Sequence, residues 1–239
     1  LVVSGFLRSH DTKSDEPRFD FVFLTASHSP YTYPSSYAQF KPLPALKGGF
    51  AVDKHANNAP YKNDYHNSLF YLDALLGRVL DSAQKSGALN NSWVVITGDH
   101  AEEFNENGLG YWGHGSNFSR WQTHTPLLVM APGQFAGKHE SRLSLHQDIV
   151  PTLMQQALGC KGAVETYSNG VNLFHLPEHR GTLIASYMTQ AYWTDDMVFD
   201  RTTNKIYDWR DMKQTRSLND PEAIRVLMGE ERRFMASQH

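Results

Sequence analysis

Cysteine is nearly absent. Cys160 is the only one in 239 residues, so the chain forms no internal disulfide and no thiolate metal cluster. A domain of this size does not depend on bridges, so the lone thiol leaves the redox compartment open. An excess of basic charge is missing too. Lys+Arg number 22 against 25 Asp+Glu, a net −3 without any basic run, which argues against a nucleic-acid surface. No apolar run approaches the roughly 20 residues needed to cross a bilayer. The opening Leu1-Val2-Val3-Ser4-Gly5-Phe6-Leu7 is too short, and lacks the basic lead, for a secretory signal. It also begins without methionine, and the chain is expected to be a piece of a longer protein. What is present is 40% apolar residues and 17 glycines, a globular composition, with 12 histidines that direct any metal site towards nitrogen and oxygen ligands.

The hydrophobic pattern predicts an α/β body. Phe21-Val22-Phe23-Leu24 and Trp93-Val94-Val95-Ile96-Thr97 read as continuous apolar strands buried on both faces of a parallel sheet. Between them, residues 26–60 read as a long loop rich in Pro, Tyr, Ser, Gly and Lys. Tyr65, Leu69, Leu72, Leu76, Val79 and Ala83 then lay one apolar stripe on a helix ending near Gly87. Strand, helix, strand is a βαβ unit, which implies a mostly parallel central sheet covered by helices. Leu127-Leu128-Val129-Met130 is a third strand, and a helix follows with Asp148 as its cap and Pro151 in its first turn. Beyond about residue 165 short strands take over: Thr182–Tyr187, then a hairpin of Met197–Asp200 and Lys205–Asp208, then a helix from Pro221 to Met235. The expected organisation is a body over residues 1–165 with an antiparallel part and terminal helix, 166–239, packed on it.

In parallel-sheet proteins ligands gather beyond the carboxyl ends of the strands. Those positions hold Ser27-His28-Ser29, Gly98-Asp99-His100 and the glycine-rich Trp112-Gly113-His114-Gly115. A carboxylate beside an imidazole is half of an oxygen/nitrogen metal site, and Gly98 permits the turn that brings both into one cleft. Taken singly, an Asp-His pair at a strand end is more often a capped turn, and His28 or His114 a hydrogen-bonded loop histidine. Trp112, His55 and the tyrosines Tyr31, Tyr33 and Tyr37 read as packing. Glu102 and Glu103 read as solvated loop charges, with orientation of His100 as the alternative.

The run Thr97-Gly98-Asp99-His100-Ala101-Glu102-Glu103-Phe104-Asn105-Glu106-Asn107-Gly108, then Gly113-His114-Gly115 and Gln122-Thr123-His124-Thr125-Pro126-Leu127, resembles the alkaline phosphatase/sulfatase superfamily. Within it, the likeness is greatest to the membrane-anchored phosphoethanolamine and lipoteichoic-acid transferase branch. His146-Gln147-Asp148-Ile149-Val150-Pro151-Thr152-Leu153 resembles a segment of that family which we read as structural. The tail from Tyr167 to Phe234 resembles inner-membrane members that carry a periplasmic hydrolase-like domain.

The resemblance implies that Asp99 and His100 hold a divalent metal ion (Zn, Mn or Mg). It implies that His114 contacts the transferred phosphoryl group, and that His28 is a second substrate-side histidine. The family's acidic ligand and its nucleophile come from earlier in such domains, and nothing in Leu1–Pro17 matches either. The expected function is therefore that of a metal-dependent hydrolase or transferase of phosphate or sulfate esters, with lipid-linked substrates. It would form the periplasmic domain of an inner-membrane protein, anchored by segments ahead of this chain. By itself the chain is expected to be inactive, and a second copy is expected to cover its exposed sheet edge. The rival reading, from a different class, is a catalytically silent lipid-binding or regulatory domain in lipopolysaccharide homeostasis of the outer membrane.

Overall fold

The computed structural model describes residues 2–9, 16–45, 52–132, 137–187, 189–194, 197–217 and 229. They fall into two compact units. One comprises Leu1–Val94, Phe104–Trp112 and Val129–Gln134, the other Val95–Glu103, Gly113–Leu128 and Phe135–His239. In chain order the elements are helices α1 (Val2–Ser9) and α2 (Ala59–Lys85), strands β1 (Val94–Thr97), β2 (Glu103–Phe104) and β3 (Trp112–Gly113), and helix α3 (Arg120–Thr123). They continue with β4 (Leu127–Met130), α4 (Ile149–Gln156), β5 (Gly181–Ala185), β6 (Gln190–Thr194), β7 (Met197–Asp200), β8 (Lys205–Asp208) and β9 (Gln214–Ser217).

In the first unit α1 packs on α2, and its Val3 is buried. Pro60 sits in the first turn of α2, where its missing N–H costs nothing, and Gly87, at φ 79°, follows its end. The apolar stripe holds in the C-terminal half, where Val79 and Ala83 are buried. Nearer the N-terminus the buried positions are polar: Asp64, Asn67 and Ser68, while Leu69 is exposed. A hydrogen-bonded lattice explains this. Tyr33 donates its hydroxyl to Asp64, and Asn67 binds both the N–H (2.8 Å) and the carbonyl (3.0 Å) of Phe40. The loop ahead of α2 is thereby held by side chains, as its lack of periodicity requires; residues 46–51 lie outside the described residues.

Burial, and the Asp64 carboxylate that accepts the Tyr33 proton, push the Tyr33 phenol up from 10.0 to about 12. A pKa raised in the folded state gives stability that is complete below pH 10 and is lost as pH rises through about 12. Ultraviolet difference titration should therefore show one late tyrosine that disappears in Tyr33→Phe. A single transition near pH 10 for all tyrosines would contradict it.

The expected first strand is not formed. Phe21–Leu24 belongs to no strand, and Phe19, Phe21 and Phe23 are 82%, 78% and 55% exposed. Apolar sequence alone does not make a strand; it needs a hydrogen-bonded neighbour, and none pairs with it among the described residues. The phenyl rings of Phe21 and Phe23 stack at 6.1 Å instead. The mostly parallel central sheet is likewise not seen among the described residues. β1 pairs with β4 and β2 with β3, each as a two-stranded sheet, and in β4 Leu128 and Met130 are exposed.

The second unit carries the five-stranded antiparallel sheet β5-β6-β7-β8-β9. The hairpin of β7 and β8 is as the sequence predicts, with Val198 opposite Tyr207 and Phe199 opposite Ile206. Apolar side chains cover both faces. Ala191, Trp193 and Val198 pack with Phe118, and Phe199 and Ile206 pack with Leu183 and Tyr192. Strand β6 was not legible, because a strand buried on both faces loses the alternation that marks strands, and β9, Gln214–Ser217, has no apolar residue to mark it. The helix expected from Pro221 to Met235 lies outside the described residues, apart from Gly229.

Candidate active site

β1 delivers the chain to Gly98-Asp99-His100, in the second unit. The preceding turn is fixed from outside: His146 Nε2 lies 2.7 Å from the Gly98 carbonyl. A carbonyl only accepts, so His146 donates and its Nε2 carries the hydrogen. Asp99 and His100 sit together as the sequence predicts. Asp99 Oδ1 accepts from the His100 amide at 3.1 Å, and its Oδ2 lies 3.7 Å from His100 Nε2. The Asp99 side chain is 71% exposed, open to a ligand from solution. His100 donates Nδ1–H to the Ala101 carbonyl (3.0 Å), which turns Nε2 towards Asp99.

His114 joins this pair. Its ring stacks on His100 with centroids 3.8 Å apart and planes 30° apart. It is carried between Gly113 and Gly115, at φ 81° and 77°, a left-handed conformation that glycine adopts without strain. Its Nδ1 lies 2.8 Å from Glu102 Oε2. The ligand atoms of His100, Glu102 and His114 all fall within 4.8 Å of one another. The site is thus a row of acid, imidazole, imidazole and acid.

The two glutamates correct the reading from sequence. Neither is a solvated charge: the Glu102 side chain is 10% exposed, and Glu103 is fully buried. Glu102 pairs with His114. Sequence offered a signal, since residues two apart in an extended segment share a side, which sets Glu102 with His100. Glu103 Oε2 accepts from Asn117 (2.8 Å) and Gln122 (2.6 Å), and Gln122 Oε1 accepts the Ser116 amide at 3.0 Å. Gln122 also gives its carbonyl to the Ala101 amide, 3.1 Å. This buried network clamps the segments on either side of His100 and His114, and sequence reasoning missed it.

His28 belongs to the first unit. Its turn is closed by Tyr31 N–H to the His28 carbonyl at 2.9 Å, and its Nδ1 lies 2.8 Å from the Ser29 carbonyl. Within that unit the packing readings hold for Trp112 and the tyrosines, whereas His55 is exposed. Trp112 meets Tyr61 edge-on at 5.3 Å, and Tyr31 meets Tyr65 at 5.5 Å. The segment after His146 is structural as well: Asp148, Pro151 and Thr152 are buried.

The fold is that of the alkaline phosphatase-like sulfatases. A phosphonate monoester hydrolase of Agrobacterium radiobacter superposes with a TM-score of 0.69 at 18% identity, covering 99% of this chain and 59% of that one. Residues 2–160 match the Sulfatase family, and the chain belongs to that family. The inner membrane protein YejM of Salmonella typhimurium is 26% identical over 188 residues, 76% of this chain and 31% of that protein. The Kdo(2)-lipid A phosphoethanolamine 7''-transferase of Escherichia coli is 31% identical over 108 residues, 44% of this chain and 18% of the enzyme. The chain thus spans about a third or less of the length of these curated relatives. No helix among the described residues is long and apolar enough to cross a membrane.

Proposed function

We propose that the full-length protein is a divalent-metal-dependent hydrolase or transferase of phosphate or sulfate esters. On this reading its substrates are lipid-linked, and residues 1–165, with 166–239 packed on them, face the periplasm from the inner membrane. The observation that carries the proposal is the Asp99–His100–His114–Glu102 row. The donor set suits a divalent ion: Asp99 Oδ2 lies 3.7 Å from His100 Nε2, the ligand atoms of His100, Glu102 and His114 lie within 4.8 Å of one another, and all are oxygen or nitrogen donors. Asp99 and His100 would hold the ion, with further ligands supplied by the rest of the protein. When bound, it offsets charge on the ester oxygens and lowers the pKa of the attacking hydroxyl.

The chain's own residues do the rest. His100 offers Nε2 because its Nδ1–H is given to the backbone. The family resemblance assigns His114 and His28 to the substrate's oxygens or the leaving alcohol, as hydrogen-bond donors. The buried Glu103–Gln122 network holds the segment preorganised. Dimerisation is not part of the reading.

The test is turnover of an aryl phosphodiester and an aryl sulfate by the Mn²⁺- or Zn²⁺-loaded full-length protein. His114→Ala is expected to lower kcat by about 10²-fold. Equal turnover by wild type and variant would overturn the assignment of His114. Tight lipid binding with no turnover of either ester would favour the silent regulatory role.

A further inference from the structure

We propose that Arg120, framed by Trp121 and Trp209, is a subsite for a second, singly charged oxyanion on the substrate, apart from the ester that is cleaved; this rests on the ester-cleaving reading above. Arg120 is exposed, and its guanidinium carbon lies 5.0 Å from the centre of the Trp121 ring and 5.7 Å from that of Trp209. Two indoles attract the cation and hold it in place, so it loses less freedom when its N–H groups take a ligand. The platform beneath is fixed. The Arg120 amide donates to the Trp209 carbonyl at 2.8 Å, and Trp209 packs against Trp193 at 5.5 Å, on the core that holds Phe118 and Val198. Charge selects the ligand. Arg210 lies over the same indole at 4.9 Å, but Asp208 faces it at 3.3 Å. Arg120 meets no carboxylate among the described residues, which leaves one positive charge uncompensated on this surface. The guanidinium fork matches two oxygens of a tetrahedral anion, and a single charge matches a sulfate ester or a phosphodiester group. Arg120 also opens α3, in which the Gln122 carbonyl accepts the amide of Ala101, the residue after His100. The cation and the Asp99–His100 pair thus stand on adjoining segments of one unit, and the substrate class is an ester with at least two anionic groups.

The experiment gives the full-length protein three chromogenic aryl esters: one plain, one with a tethered alkyl sulfate and one with a tethered methyl phosphodiester. Wild type should show a KM about fivefold lower for at least one tethered probe than for the plain ester, the scale of one exposed ion pair. Whichever tether gives the larger advantage identifies the anion. Arg120→Gln, a change at an exposed side chain, should shrink that KM ratio to within about twofold. Binding is read separately, from the indole N–H resonances of Trp121 and Trp209 as methyl sulfate or dimethyl phosphate is added. These should shift and saturate in wild type and stay in place in Arg120→Gln. A wild type with no KM advantage for either tether, or a variant that keeps the advantage or the shifts, overturns the proposal. A protein that cleaves none of the three esters would sink the ester-cleaving reading, while the indole shifts would still decide whether Arg120 binds the anion.

Discussion

Arg180→Ala is expected to destabilise the fold by about 3–5 kcal/mol, because it strands a buried carboxylate. Asp148 is fully buried and the Arg180 side chain is 10% exposed, with 2.6 Å between Nη1 and Oδ2. The carboxylate also accepts the amides of Leu145 at 2.7 Å and Val171 at 2.9 Å. It is therefore fully engaged, and none of its partners is a solvent-screened surface charge. Thr152 continues the lattice, donating to the Asp148 carbonyl at 2.6 Å and accepting from the Leu173 amide at 2.9 Å. The chain between residues 145 and 180 is pinned to this one point, and Gly170 beside it leaves no room for a Cβ against the Gln147 carbonyl. Denaturant unfolding of the full-length protein and its variants is the check. The pair Asp148→Asn with Arg180→Met should recover part of the loss, since it removes both charges while the amide carbonyl still offers the Leu145 and Val171 amides an acceptor. A loss below about 1 kcal/mol for Arg180→Ala would mean the ion pair is as weak as a surface bridge.

The second large effect falls on the site. Asp99→Ala and His100→Ala should each lower kcat of the full-length protein by about 10³–10⁴-fold, the several kcal/mol that a Lewis-acid ion contributes to charge stabilisation. Asp99 is solvent-accessible and His100 is held by the Ala101 carbonyl, so neither substitution opens a cavity in a core. Activity should fall without a matching fall in stability, and that contrast separates the site from Arg180. Thermal unfolding of both variants within a few degrees of wild type, beside steady-state rates, checks it. Rates within tenfold of wild type would place the chemistry elsewhere.

Much of the site was legible because its chemistry is local in sequence. Asp99 and His100 are neighbours at the end of a correctly located strand, and their side chains do meet. His114 is carried between Gly113 and Gly115, whose positive φ was visible as glycine. Glu102 and Glu103 were not, since burial of a charge depends on partners brought from other segments: His114, Asn117 and Gln122. The fold shows the same division. Helix α2 was readable from its stripe, but its buried polar half was not, because Tyr33 and Phe40 that satisfy it lie some thirty residues away. The aromatic run at Phe21 and Phe23 failed as a strand for want of a ladder partner, which no local pattern supplies.

The most direct test of the whole account is the metal content of the full-length protein after dialysis against trace Zn²⁺ or Mn²⁺. The account predicts a divalent ion retained by wild type and lost from both Asp99→Ala and His100→Ala. A wild-type protein that retains no ion, or variants that retain it as fully as wild type, would contradict it.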